Sequence, residues 1–288
     1  MMDAAGTRVA VVTGASAGVG KAASAALLAQ GWRVIGVGRD AGRSAEAEAE
    51  LAAIPGADFT MLRADLSLLA ETARVADEIA DLAPEIDALL NNAGGVRAER
   101  VVTPEGHEAT FAGNHLAPFL LTKKLMPQLR AAAAKRPGAA RVVAVSSTGH
   151  EHCPAIKWDD LTFAEDFVGG SAYCHAKLAN ILFARELARR ARPDGVVSHA
   201  MHPGVVDSNF ASHCDAPMQV YMESIKGRAN TPEQAADTLV WLASADEPGR
   251  ESGLYYYERR AIAPSPAALD DEAARRLWEV SEALVAGY

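Results

Sequence analysis

The stretch Val9–Gly20, VAVVTGASAGVG, limits the fold more than any other part of the chain. Val9, Ala10, Val11 and Val12 form an apolar run long enough for a buried strand and too short for a helix. Gly14, Gly18 and Gly20 follow, and Val19 to Gln30 reads as an Ala- and Leu-rich helix ended by Gly31. A strand, a glycine turn and a helix opening together make a phosphate site. Glycine lets the backbone approach a pyrophosphate, and the helix N-terminus offers free N–H groups with a partial positive charge. The glycine spacing differs from the common G-x-G-x-x-G fingerprint.

Further apolar runs recur at Trp32–Gly38, Phe59–Leu62, Ala88–Leu90, Arg141–Ser146, Val196–Met201 and, more weakly, Gly253–Tyr257. Between them, Ser44–Ala53, Leu68–Leu82, Glu108–Ala134 and Ser171–Arg192 have helical character. Strands alternating with helices predict a parallel sheet covered on both faces. The expected fold is a doubly wound α/β sheet of the Rossmann type, about seven strands, with ligands at the carboxyl ends of the strands. No repeat or low-complexity linker divides the chain, so 1–288 is read as a single domain. Within it, a substrate lid is expected at about 207–230 and a tail at about 264–288, with a helix from Asp270 and an apolar stripe of Leu269, Ala273, Leu277, Trp278 and Leu284.

A net charge of −9 argues against a nucleic-acid surface and against an anionic membrane. No run reaches the ~18 apolar residues of a membrane span. Asp3 and the early first strand leave no room for a secretory signal. Cys153, Cys174 and Cys214 are scattered, which suits a reducing compartment. The expectation is a cytoplasmic protein with a small-molecule partner, no nucleic acid and no membrane.

The strand ends hold the chemistry. Strand two ends in Gly38-Arg39-Asp40. An arginine here accommodates a 2′-phosphate and an acid grips the ribose 2′-OH, so Arg39 favours NADP, with Arg43 as helper, while Asp40 leaves NAD open. The plain alternative is a solvated loop charge. Asp65 suits either the adenine amino group or a helix N-cap. Asn91-Asn92-Ala93-Gly94-Gly95 is either a turn or a pin between strands beside the cofactor. Ser146-Ser147-Thr148 ends the fifth strand. Tyr173 and Lys177 are four apart, hence on one helix face. A nearby ammonium lowers a phenol pKa, which makes Tyr173 a candidate general acid/base and Lys177 its tuner.

His150, His152 and Cys153, with His213-Cys214, are weighed as a metal site and set aside, because the chemistry has no use for a metal. His150 and His152 are expected at the substrate mouth or in solvent, His175 as structural, and His202 as either packed or near the nicotinamide.

Thr13-Gly14-x-x-x-Gly18-x-Gly20, Asn91-Asn92-Ala93-Gly94, Asn114, Ser147, Tyr173-x-x-x-Lys177 and Pro203-Gly204 stand in an order that resembles the short-chain dehydrogenases/reductases. Ala172–Leu187 and His202–Ser208 look most like their retinol dehydrogenase-like branch. The resemblance implies an enzyme exchanging hydride between NADP(H) and an alcohol or carbonyl of a moderately apolar small molecule. It implies that Tyr173 passes a proton and that Ser147, rather than Ser146, orients the substrate oxygen. Lys177 would bind the nicotinamide ribose, and Asn114 would hold a relay water. The cofactor would lie on Gly14, Ser16, Gly18, Val19, Gly20, Arg39, Asp65, Leu66, Asn92, Ala93, Gly94, Pro203, Gly204, Val206 and Ser208. Homodimers or homotetramers would pair through Glu108–Ala134 and Ser171–Arg192. Ala17 stands where some NADP-preferring relatives carry a basic residue, leaving Arg39 to set the cofactor. Retinol itself is not expected, because Ser147–Tyr173 is rich in charge. The alternatives are a non-catalytic cofactor-binding regulator and a sugar-nucleotide epimerase or dehydratase.

Overall fold

The structure, a computed structural model, describes residues 6–136, 138–206, 214, 219–220, 223–224, 227 and 229–288. Its strands are β1 (Val9–Thr13), β2 (Arg33–Gly38), β3 (Asp58–Arg63), β4 (Ala88–Asn91), β5 (Arg141–Val145), β6 (Val197–Met201), β7 (Tyr255–Tyr257) and β8 (Arg260–Ile262). They form one sheet in the order β3-β2-β1-β4-β5-β6-β7-β8. β1 to β7 are parallel, and β8 returns antiparallel on β7 with Tyr256 opposite Ala261. The strand order reverses between β1 and β4, and ligands of doubly wound sheets bind in the crevice at such a point. β8 is an addition to the expected strands. It is too short and too exposed to leave an apolar run in the sequence.

Alternation along the strands sorts side chains to two cores. Val11, Ile35, Leu89 and Val142 pack with Leu120, Leu125, Leu182 and Leu187 on one face. Val12, Val34, Leu90 and Val143 pack with Leu27, Leu239 and Leu242 on the other. The helices covering these faces are α1 (Gly18–Ala29), α2 (Ala41–Ala52), α3 (Leu69–Leu82), α4 (Ala109–Phe111), α5 (Ala117–Lys135), α6 (Gly169–Ala191), α7 (Pro232–Ser244) and α8 (Asp271–Leu284). α7, which packs on α1, is an addition to the expected helices. Its start is a capping box: Gln234 N donates to Thr231 Oγ1 at 3.3 Å, and Thr231 N donates to Gln234 Oε1 at 2.9 Å.

The tail helix follows as expected, but its buried stripe is Ala274, Leu277 and Ser281, with Trp278 half-buried. Leu269 is exposed. Trp278 lies edge-on to Phe119 of α5 at 4.8 Å and stacks on Phe183 of α6 at 6.0 Å. Most of the expected lid lies outside the described residues, including Ser208, Phe210, Met218, Tyr221 and Met222. Its two ends meet, because Val206 pairs with Asn230 in a parallel bridge.

Candidate active site

The β1–α1 turn is shaped by its glycines. Gly14 and Gly18 have φ of 73° and 53°, the left-handed region that disfavours a side chain. Gly20 has another reason: a Cβ there would collide with the Gly14 carbonyl and with Asn92 Nδ2 at 2.6 Å. Ala17 caps α1 without a side-chain hydrogen bond, and its first turn carries no acid. This N-terminus is therefore left with N–H groups suited to a phosphate. Ser16 sits over the end of β2, 3.1 Å from where a Cβ on Gly38 would be, and Val19 packs on the core behind the turn.

Asn92 pins two strands. Its Nδ2 donates to Thr13 O at 2.9 Å, and Thr13 Oγ1 accepts from Asn92 N and Ala93 N at 3.0 and 2.9 Å. Of the two readings of the Asn pair, the structure has the pin.

At the β2 end, Asp40 caps α2, accepting from Arg43 N at 2.9 Å, with Arg43 Nε 3.7 Å from the same oxygen. One oxygen of its exposed carboxylate, Oδ1, is engaged by the helix. The exposed Arg39 instead lines a cavity of about 470 Å³ with Arg63, Asp65 and Arg74. Arg74 is engaged by Glu71 and Glu78. Asp65 is not the N-cap of α3; it accepts from Ser67 N and Ser67 Oγ at 3.0 and 2.7 Å. The helix is capped from a distance, because Leu69 N and Ala70 N donate to Glu105 at 2.7 and 2.8 Å. Leu66, next to Asp65, packs on the core.

Beyond β4, the helical chain passes through a π-turn, Ala112–Leu116, before α5. Such turns re-aim a side chain, and here the side chain is Asn114. Its Nδ2 donates to Gly95 O at 2.9 Å and to Thr110 O at 2.8 Å, and its Oδ1 accepts from Gly95 N at 3.1 Å. A Cβ on Gly94 would stand 2.5 Å from Asn114 Oδ1 and 3.0 Å from Lys177 Nζ, so a side chain there would displace these two groups.

Lys177 is buried on α6 and donates to Val145 O at 3.0 Å. Its Nζ lies 5.4 Å from the centre of the Tyr173 ring. Burial pulls its pKa down to about 8, so it keeps its charge at neutral pH. Tyr173 is hydrogen-bonded to Ser147, yet burial outweighs that bond and pushes the phenol above its ordinary value. The expected lowering of the phenol by Lys177 is thus corrected: the ammonium is held at the ring face by the Val145 carbonyl. The two serines also separate. Ser146 is buried and donates to Lys177 O at 2.7 Å. Ser147 faces Tyr173 and caps a 3-10 turn, Thr148–His152, accepting from Gly149 N at 3.1 Å.

After β6, Gly204 takes φ 75°, and Asn230 Nδ2 donates to Pro203 O at 3.3 Å. Val206 is fixed by its bridge to Asn230. Of the expected site, then, the described residues lie at the carboxyl edge of β1 to β6.

His202 is packed, stacked on Tyr257 at 4.3 Å, and burial lowers its pKa to about 4. His175 is structural as expected, its Nε2 accepting from Lys157 N at 3.1 Å. His152 is exposed, but His150 is fully buried, neither at a mouth nor in solvent. Its Nδ1 meets Ser147 O at 2.7 Å, and its Nε2 accepts from Ser265 N at 3.0 Å. Among the described residues no cluster of His, Cys, Asp and Glu is arranged to hold a metal.

Residues 8–159 match the short chain dehydrogenase family. The chain is 35% identical to retinol dehydrogenase 14 of Homo sapiens over 96% of its own length and 85% of that protein's. It is 36% identical to a putative daunorubicin C-13 ketoreductase, DnrU, of Streptomyces sp. (strain C5), covering 96% and 92% of the two chains. Among solved structures, the Pseudomonas aeruginosa RhlG/NADP active-site complex matches with a TM-score of 0.69 and 28% identity, covering 88% of this chain and 94% of that one. These likenesses, which include retinol dehydrogenases 11, 12, 13 and 14, correct the expected cytoplasmic location, which they do not support. Among the described residues no helix is long and apolar enough to cross a membrane. The chain belongs to the short-chain dehydrogenases/reductases, in their retinol dehydrogenase-like branch, and is an oxidoreductase that uses a nicotinamide cofactor on CH–OH groups.

Proposed function

We propose that the protein is an NADP(H)-dependent oxidoreductase interconverting an alcohol with a ketone or aldehyde on a moderately apolar small molecule. The observation that carries this reading is the convergence of Ser147, Tyr173 and Lys177 at the end of β5, with Asn114 beside Lys177. The bound nicotinamide supplies the hydride. Tyr173 exchanges the proton with the substrate oxygen. Ser147 hydrogen-bonds the same oxygen. Lys177 binds the nicotinamide ribose, and Asn114 holds a water between Lys177 and solvent. Gly14 to Gly20 would hold the pyrophosphate, Asp65 and Leu66 the adenine, and Pro203 to Val206 the nicotinamide. The likeness to a protein named as a ketoreductase supports the reductive direction.

NADP is preferred over NAD because Asp40 is occupied as a helix cap while Arg39, with no carboxylate partner among the described residues, faces the cavity at the β2 and β3 ends. The chain works as one domain. The expected pairing of subunits through α5 and α6 meets α8 already seated on α6, and sedimentation of the purified chain distinguishes homo-oligomer from monomer. Titration calorimetry of NADPH and NADH tests the cofactor reading. Wild type should bind NADPH about tenfold or more tightly than NADH, and Arg39→Ala should erase the difference. Tighter NADH binding by wild type would overturn it.

A further inference from the structure

We infer that His150 is a positioning residue for the proposed reaction: it fixes Ser147 and couples that serine to the C-terminal segment. The inference rests on the reading that Ser147 orients the substrate oxygen. His150 has no exposed surface, and its ring lies edge-on to Tyr255 at 5.2 Å. Ser265 N is a donor, so the Nε2 it meets at 3.0 Å must carry a lone pair. A neutral ring then bears its proton on Nδ1, which donates to Ser147 O at 2.7 Å. One neutral tautomer satisfies both partners. An imidazolium would set N–H against the Ser265 N–H.

The partner in the tail is just as constrained. Ser265 stands between Pro264 and Pro266, neither of which has a backbone N–H, so it holds the only amide donor of that tripeptide. Pro266 also restricts Ser265 to extended backbone, and its φ and ψ are −58° and 155°. A stiff strap therefore braces the far nitrogen of a ring whose near nitrogen holds the Ser147 carbonyl. The backbone amide of His150 donates to that carbonyl as well, at 3.1 Å. Ser147 Oγ rides on this backbone and is also held by Gly149 N, so fixing the carbonyl fixes the frame from which Oγ meets Tyr173.

A second buried histidine also meets the C-terminal segment, through one nitrogen only, its Nδ1 having no hydrogen-bond partner. His115 Nε2 lies 2.8 Å from Ser281 Oγ of α8, and His115 follows Asn114 in the π-turn. The C-terminal segment thus reaches both loops that carry proposed site groups.

Two amides separate the two bonds of His150. In His150→Asn the side-chain amide replaces Nδ1 and keeps the bond to Ser147 O, but does not reach Ser265. In His150→Gln the amide oxygen replaces Nε2 and keeps the bond from Ser265, but leaves the Ser147 carbonyl without the side-chain donor. The probe is 4-nitrobenzaldehyde with saturating NADPH and, in parallel, NADH. Both variants should lose thermal stability to a similar degree. His150→Gln should lose about tenfold in kcat with cofactor Kd within twofold, and His150→Asn should recover most of it. Nitrogen-15 spectra of labelled wild type should show an unprotonated Nε2 and a protonated Nδ1. Equal kcat for wild type and His150→Gln, with only Tm changed, or the opposite tautomer, would overturn the inference alone. No wild-type turnover with either cofactor would overturn the functional reading and the inference with it.

Discussion

At the β2–β3 end of the cleft the arginines facing the cavity are charged and exposed, whereas at the β5–α6 end Lys177 is buried and Ser147 and Tyr173 are half-buried. Arg39 and Arg63 stand in solvent, and Arg74 is held by carboxylates. The buried histidines have lost their basicity, with His202 and His175 lowered to about 4 and His115 to about 3, all chiefly by burial. The difference separates two tasks. A phosphate is recognised by matching its charge, which tolerates water. A proton passed to an oxygen needs groups whose positions and protonation do not fluctuate, and burial provides both.

The comparison breaks first if the two serines of the β5 end are interchangeable. Ser147→Ala should lower kcat about 10²-fold with little change in Tm, because it removes a donor aimed at the substrate oxygen. Ser146→Ala should leave kcat within a few-fold and lower Tm by a few degrees, since Ser146 Oγ is bonded to Lys177 O inside the core. Steady-state kinetics beside a thermal melt reads both.

A smaller effect sharpens the contrast at the other end. Asp40→Ala removes a helix cap and should cost about 1 kcal/mol of stability while leaving NADPH binding unchanged. Were Asp40 the ribose reader, NADH affinity would fall instead, as calorimetry would show.

Acid should act on the buried end. For His115, His175 and His202 the folded pKa lies below the unfolded 6.5, so between about 4 and 6.5 the unfolded chain binds more protons than the folded one. Stability from these groups is complete above about 6.5 and is lost as pH falls, at ~1.4 kcal/mol per pH unit for each histidine. Urea melts from pH 7.5 to 4.5 check the slope. On the basic side, Lys177 gives up its charge above about 8, so kcat/KM for carbonyl reduction should decline there.

The parts of this molecule that were legible in the sequence are those governed by neighbours in the chain. The β1–α1 turn, the Asn92 segment and the Tyr173–Lys177 pair are local patterns whose backbone demands show in residue type. The capping box at Thr231 and Gln234 was equally local, and its T-x-x-Q signal would have revealed α7. What stayed hidden depends on distant partners. Glu105 caps α3 from another loop, Ser265 reaches His150 across 115 positions, and Ser281 meets His115 across 166. No spacing rule announces a bond between a helix and a tail so far apart. The phenol of Tyr173 also escaped, because the leading influence on it is burial by the surrounding fold, which the spacing to Lys177 does not show.

The most direct measurement is NADPH oxidation in a single turnover with a carbonyl substrate, comparing wild type with Tyr173→Phe while the NADPH Kd of each is determined by calorimetry. The account predicts carbonyl-dependent oxidation by wild type, a loss of about 10³-fold in the variant and an unchanged Kd. Oxidation by Tyr173→Phe at the wild-type rate would show that the proton reaches the substrate by another route, and the role assigned to the Ser147–Tyr173–Lys177 site would be wrong.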